Sequence, residues 1–251
     1  MRLLAIAPRA LCKPTYVLAT KADDGTPIRT LRVRGTNESA TYLGDRYCEL
    51  AFDYYRLFDR AFEGTNDTRR ILMLGGGAYA WPKHVIATRP DAHLDVVELD
   101  PEVTRLARRW FYLDRLFEDF DLAATGRLAI HHADATDFLR EAGEKGLGPW
   151  DAIVNDCFRG GLPVWDLLTP DVLAAAHALL APGGRYLVNV VASLEEPGIE
   201  PLRQTVAALA DVWAHVHVVP TTLADFERRQ NVLVVATDAD ASFEGELAGL
   251  A

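Results

Sequence analysis

The chain is 251 residues long, 49% hydrophobic and 25% charged, a globular composition with enough length for one main core and a small appendage. Its net charge of −10 opposes binding to nucleic-acid phosphates, and no apolar run approaches the roughly 18 residues of a membrane span. The opening "MRLLAIAPRALCKP" is too short in apolar residues for a signal peptide, and Cys12, Cys48 and Cys157 lack metal-site spacing, so a cytoplasmic protein with reduced thiols is expected.

From the N-terminus, "TYVLATKADDGTPIRTLRVRGTNESATYLG" is rich in Thr, Val, Tyr and Leu, with turn signals at "DDGTP" and "RGTN", and predicts a small antiparallel sheet. "RYCELAFDYYRLFDRAF" sets Leu50, Tyr54, Leu57, Phe58 and Phe62 close to a helical period without Gly or Pro, and predicts an amphipathic helix. Beyond Arg70 come the apolar runs "ILML", "LDVVEL", "RLAIHHA", "WDAIVND", "GRYLVNVVA", "AHVHVVP" and "NVLVVAT". Runs without polar alternation suit strands buried on both faces, the pattern of a mostly parallel α/β sheet. Helices are expected over "PEVTRLARRWFYLD", "TPDVLAAAHALLAP" and "PLRQTVAALADVWA", the second stopped by "PGG". The division expected is a small sheet region over 1–45 and an α/β domain over 46–251.

Three glycines, Gly75, Gly76 and Gly77, follow the first strand of that domain, where a turn lets the backbone approach a ligand closely. Glu98 ends the next strand about 20 residues on, the place of a carboxylate that accepts from ribose hydroxyls. Asp134 ends the third strand and Asp156 the fourth, so four successive strand ends carry a glycine or an acid. Together they point to a nucleoside-containing ligand. His131 and His132 have no second ligand group nearby and receive no role, and no metal site is expected.

In order and spacing these segments resemble the spermidine synthase branch of the class I S-adenosylmethionine-dependent transferases. The likeness begins at "LRVRGTNESA" and "RYCE", similar to that family's L-x-L-D-G-x-x-Q-S-A and Y-H-E, and continues through "ILMLGGG", "VVELDPEV", "HADATDFL" and "WDAIVND" to "LLAPGGRYLVN". The resemblance implies a Rossmann-like class I methyltransferase fold, with a seven-stranded mostly parallel sheet, helices on both faces and a small N-terminal sheet extension. By the same resemblance the glycine turn holds S-adenosylmethionine or its decarboxylated form, Glu98 the ribose, and Asp134 with Ala135 the adenine. Asp156 stands where the family's catalytic aspartate opens a D-S-S-D loop, and a homodimer forms partly through the small sheet.

The departures from the family pattern suggest a change of chemistry. The family loop reads G-G-G-D-G-G, its aspartate binding the ammonium of the aminopropyl arm, whereas this chain has Ala78, then Tyr79 and Trp81. D-S-S-D becomes "DCFR", with Arg159 in the second acidic position, and Cys48 replaces the histidine of Y-H-E while Tyr47 and Glu49 remain. A buried ammonium needs an acidic partner, so these changes favour the intact cofactor, whose carboxylate could pair with Arg159 or Lys83. The expected function is therefore methyl or other alkyl transfer to a small-molecule acceptor, with Asp156 as base or orienting carboxylate and Tyr79, Tyr47 and Glu49 shaping the acceptor pocket. The alternatives are an aminopropyltransferase drawing its acids from Glu49, Asp45 or Glu38, and a non-catalytic nucleoside-binding protein. A nicotinamide-dependent oxidoreductase ranks lower, because "GGGAYAW" does not complete G-x-G-x-x-G at residue 80.

Overall fold

The computed structural model describes residues 1–7, 14–33, 35–64, 68–159 and 162–247. Cys12 therefore lies outside the described residues. The first strands are β1 (Arg2–Ala7), β2 (Thr15–Lys21), β3 (Pro27–Val33) and β4 (Thr36–Tyr42), which form the predicted antiparallel sheet in the order β1-β2-β3-β4. Its inward residues include Val17, Ile28, Leu31 and Ala40, each 3% exposed or less.

The α/β part has β5 (Arg70–Leu74), β6 (His93–Glu98), β7 (Leu128–His132), β8 (Trp150–Asn155), the short pair β9 (Phe158–Arg159) and β10 (Leu162–Pro163), β11 (Leu180–Ala192), β12 (His215–Pro220) and β13 (Gln230–Thr237). Seven of these make a mostly parallel sheet in the order β12-β13-β11-β8-β5-β6-β7, with β13 antiparallel to both its neighbours. The helices are α1 (Ala80–Thr88), α2 (Pro101–Trp110), α3 (Leu113–Asp119), α4 (Leu122–Thr125), α5 (Ala135–Ala142), α6 (Pro170–Ala178) and α7 (Glu200–Ala210). The apolar strand runs are buried as their composition dictates. Ile71, Leu72, Met73 and Leu74 are 0–2% exposed, and burying each contributes about 1.5 to 3 kcal/mol.

Two local expectations are corrected. Residues Asp53–Phe62 form a 3₁₀ helix, preceded by a short one at Gly44–Arg46, where spacing close to 3.6 residues predicted one continuous amphipathic helix. Apolar positions three and four apart fit either closure over so short a span. The "PGG" stop lies within β11, where the pairing with β8 shifts register between Leu180 and Arg185, and α6 ends before it at Ala178.

The chain divides into two compact units, each discontinuous in sequence. Residues Met1–Tyr55 with Gly75–Asp134 form the first, and Arg56–Leu74 with Ala135–Ala251 the second. Among the described residues no helix is long and apolar enough to cross a membrane.

Candidate active site

In the first unit, the three glycines of the turn after β5 are required for two reasons. Gly75 has φ +92° and Gly77 φ +52°, a region that L side chains rarely adopt. At Gly76 a Cβ would stand 2.9 Å from ring carbon Cζ of Tyr79. Tyr79 is itself left-handed (φ 56°, ψ 33°), a strain of roughly 1 kcal/mol or more that persists only where the surroundings hold it. They do so here. The Tyr79 side chain is fully buried, its amide donates to the Gly76 carbonyl at 2.8 Å, and its hydroxyl shares a 2.8 Å hydrogen bond with Thr104 of α2. Burial pushes the Tyr79 hydroxyl well above its usual pKa, so it stays a neutral phenol.

Ala78 turns inward. It has no exposure and packs in an apolar cluster with Ala7, Val17, Leu31, Val103, Leu106 and Phe111. Lys83 is also buried: its ammonium donates to Thr41 Oγ1 at 3.0 Å and to the Phe111 carbonyl at 2.7 Å, and burial pulls its pKa down to about 7. Lys83 is thus committed to the interior and does not reach toward a ligand carboxylate.

The opposite side of the turn is polar. Glu98 Oε2 accepts from the amides of Gly76 and Gly77, both at 3.0 Å, and Oε1 accepts from the amide of Asp100 at 2.9 Å. The carboxylate is 5% exposed; burial raises its pKa, and the three amides oppose that rise by stabilising the charge. A carboxylate offers about four lone-pair positions, so one acceptor site is left for a hydroxyl donor. Both ribose hydroxyls could bind only if the turn released an amide. From β4, the Cβ of Ser39 lies 3.8 Å from where a Cβ on Gly77 would be. Asp100 caps α2 by accepting from the Glu102 amide at 2.9 Å, which fixes the chain just beyond Glu98.

The remaining predicted residues of this unit take other places. The Tyr47 hydroxyl donates to Asp119 Oδ2 at 2.8 Å with the Arg115 guanidinium over its ring, and Glu49 pairs with Arg46 in solvent. His131 pairs with Asp95 and His132 with Thr104, at 2.8 and 3.1 Å. Asp134 is half-buried in the residue before α5, whose first residue is Ala135.

In the second unit, Asp156 directly follows β8, and its amide donates to the Leu74 carbonyl at 2.9 Å. Its Oδ1 accepts from the Asn189 side-chain amide at 2.7 Å, and Asn189 Oδ1 accepts from Asn231 at 3.1 Å. Arg159 pairs through its backbone with Leu162, and its side chain lies outside what the structure describes. Asn189 and Asn231 were not singled out from sequence, although a polar residue inside "YLVNVVA" was the available signal. Among the described residues, no cluster of His, Cys, Asp and Glu could hold a metal ion.

No protein-family model matches the sequence. Over 140 residues, 56% of this chain, it is 29% identical to a polyamine aminopropyltransferase of Vibrio vulnificus, the match covering 44% of that protein. A probable spermidine synthase from Corynebacterium glutamicum has a solved structure similar to this one, with TM-score 0.76 and 24% identity over 96% of this chain and 82% of that one. The fold is that of the spermidine synthases. Human methyltransferase-like protein 13, solved with SAH, is more distant, with TM-score 0.52 and 20% identity over 78% of this chain and 81% of that one. The chain spans less than half the length of the curated relatives it matches. These relatives are named aminopropyltransferases, which overturns the expectation of methyl transfer. The physical reason is visible at Ala78, whose change from the spermidine synthase pattern lies in a core cluster and says nothing about the ligand.

Proposed function

We propose that the chain is an aminopropyltransferase of the spermidine synthase kind, moving the aminopropyl group of decarboxylated S-adenosylmethionine to an amine acceptor. The observation that carries this reading is the 29% identity to a polyamine aminopropyltransferase over 140 residues. The buried Glu98 at the glycine turn is in keeping with it, since its free acceptor position suits a ribose hydroxyl and its charge suits a cationic ligand.

The sulfonium supplies an activated carbon. The neutral acceptor amine attacks that carbon, the carbon–sulfur bond breaks with its electron pair left on sulfur, and 5′-methylthioadenosine departs. The new ammonium then loses a proton. Little activation is needed, so the residues act mainly by positioning and by taking that proton. In this scheme Gly75, Gly76, Gly77 and Glu98 hold the ribose end, and Asp134 with Ala135 the adenine. Asp156, oriented by Asn189, receives the amine proton. A homodimer formed through the N-terminal sheet is part of the proposal; Leu3 and Ile6 are exposed on β1.

The test is product analysis by mass spectrometry after incubating the purified chain with decarboxylated S-adenosylmethionine and putrescine or cadaverine. Equal amounts of methylthioadenosine and aminopropylated amine are expected. Transfer of a methyl group from intact S-adenosylmethionine to an acceptor, with no methylthioadenosine formed from the decarboxylated form, would overturn the proposal.

A further inference from the structure

We infer that Glu38, on the bulged edge strand β4, is the carboxylate that receives the terminal ammonium of the aminopropyl arm. This rests on the proposed aminopropyl transfer and names the residue that gives it preference for the decarboxylated cofactor. Position 78 cannot serve, because its side chain is enclosed by apolar neighbours. The arm still ends in an ammonium, and its desolvation has to be offset by an acid from elsewhere.

Three acids in the first unit were candidates from sequence, and the structure separates them. Asp45 is exposed and paired with Arg115, and Glu49 is exposed and paired with Arg46. Both are already neutralised in solvent. Glu38 is half-buried, and among the described residues its carboxylate has no hydrogen bond or ion pair. Burial alone pushes its pKa up, which is the signature of a charge that lacks a partner.

The local backbone gives this residue its direction. The β3–β4 register passes from Leu31 opposite Ser39 to Arg32 opposite Asn37, so Glu38 is the extra residue of a bulge. A bulge breaks the strict alternation that would send Glu38 and Ser39 to opposite faces, and bulges often re-aim a side chain beside an active site. Ser39 is the residue whose Cβ faces Gly77 of the turn. The bulge is pinned by two tyrosines: Tyr54 and Tyr55 donate to the Glu38 carbonyl at 3.3 and 3.4 Å, and the Tyr55 hydroxyl lies 2.8 Å from Ser39 Oγ. An unpaired, half-buried carboxylate in a pinned bulge next to the glycine turn costs stability in the free protein. Pairing with a ligand ammonium removes that cost.

The experiment is isothermal titration of wild type and Glu38→Gln with decarboxylated S-adenosylmethionine and with 5′-methylthioadenosine, which lacks the arm. The variant should lose about tenfold or more in affinity for the decarboxylated cofactor, the scale of a charge-assisted hydrogen bond, and keep its affinity for methylthioadenosine. Its melting temperature should be unchanged or higher, because the variant removes an unpaired carboxylate. Equal losses for both ligands would place Glu38 in the nucleoside cradle or the fold and overturn the inference, as would an unchanged affinity for the decarboxylated form. Wild-type protein that binds methylthioadenosine but shows no preference for the arm also overturns it, while leaving the nucleoside site intact. Wild-type protein that binds neither ligand removes the aminopropyl reading, and the inference falls with it.

Discussion

Gly77 and Ala78 are neighbours in the chain, yet the Gly77 amide donates to the buried Glu98 carboxylate while Ala78 is sealed in an apolar cluster. The same contrast runs through the whole turn. On its inner side Ala78, Tyr79, Trp81 and Lys83 have no exposure, and the Tyr79 hydroxyl and the Lys83 ammonium end on Thr104, Thr41 and the Phe111 carbonyl. On its outer side two backbone amides meet a carboxylate that keeps one acceptor position open. Substitutions on the inner side are therefore changes of packing, and only those on the outer side meet the open acceptor position of the proposed site. A change from the family pattern has to be located on one side or the other before it is read as chemistry.

The contrast makes its largest demand at Ala78. Ala78→Asp should destabilise the protein by about 3 to 5 kcal/mol, since it buries a charge with no partner among Val17, Leu31 and Phe111. Denaturant unfolding at constant slope measures this. A variant of wild-type stability that bound the decarboxylated cofactor more tightly would put Ala78 on the ligand side after all.

Gly76→Ala should cost about 1 to 3 kcal/mol, because the new Cβ meets the Tyr79 ring at 2.9 Å. The cost should shrink in a Tyr79→Ala background, so a double-mutant cycle carries the information. Additive effects would mean that the ring is not what forbids a side chain at Gly76.

Lys83 gives a pH test of the inner side. Its folded pKa, lowered by burial to about 7, lies below the ordinary lysine value of 10.5, so between those values the unfolded chain binds the extra proton. Stability should therefore rise with pH across that window, by at most about 1.4 kcal/mol per pH unit from this group. Lys83→Met should remove that part of the slope, measured as the difference between the two proteins' unfolding free energies at pH 7.5 to 9.5 (about two units inside the window). Parallel curves would show that Lys83 keeps its proton in the fold.

In the second unit the Asp156 carboxylate accepts from a side-chain amide, that of Asn189, and the expected effect is smaller. Asn231→Ala leaves Asn189 Oδ1 without its 3.1 Å donor and should cost about 1 kcal/mol in the same unfolding assay. No change would mean that water replaces Asn231 at no cost, and that the Asn189–Asp156 hydrogen bond does not depend on it.

Much of the fold was legible because its signals are coarse. Apolar runs without alternation became β5, β6, β8 and β13, and the small sheet followed from β-branched residues between turn signals. The glycines and Glu98 were legible too, since backbone-built sites need residue types that announce themselves. Side-chain direction was not. It depends at Ala78 and Tyr79 on a left-handed φ in a bulky residue, and at Glu38 on a one-residue bulge, and neither has a sequence signature. The Asn231–Asn189–Asp156 chain escaped because it joins β13, β11 and the end of β8, whose adjacency only the sheet order supplies. The 3₁₀ stretch at Asp53–Phe62 escaped because its apolar spacing fits two helices equally well.

The most direct measurement of the central claim is a crystal structure with 5′-methylthioadenosine bound. It should show a ribose hydroxyl donating to Glu98 Oε1, the turn amides of Gly76 and Gly77 still on Oε2, and no ligand atom against the Ala78 side chain. A ribose bound away from Glu98, or a ligand atom packed on Ala78, would contradict the division of the turn into an inner packing side and an outer binding side.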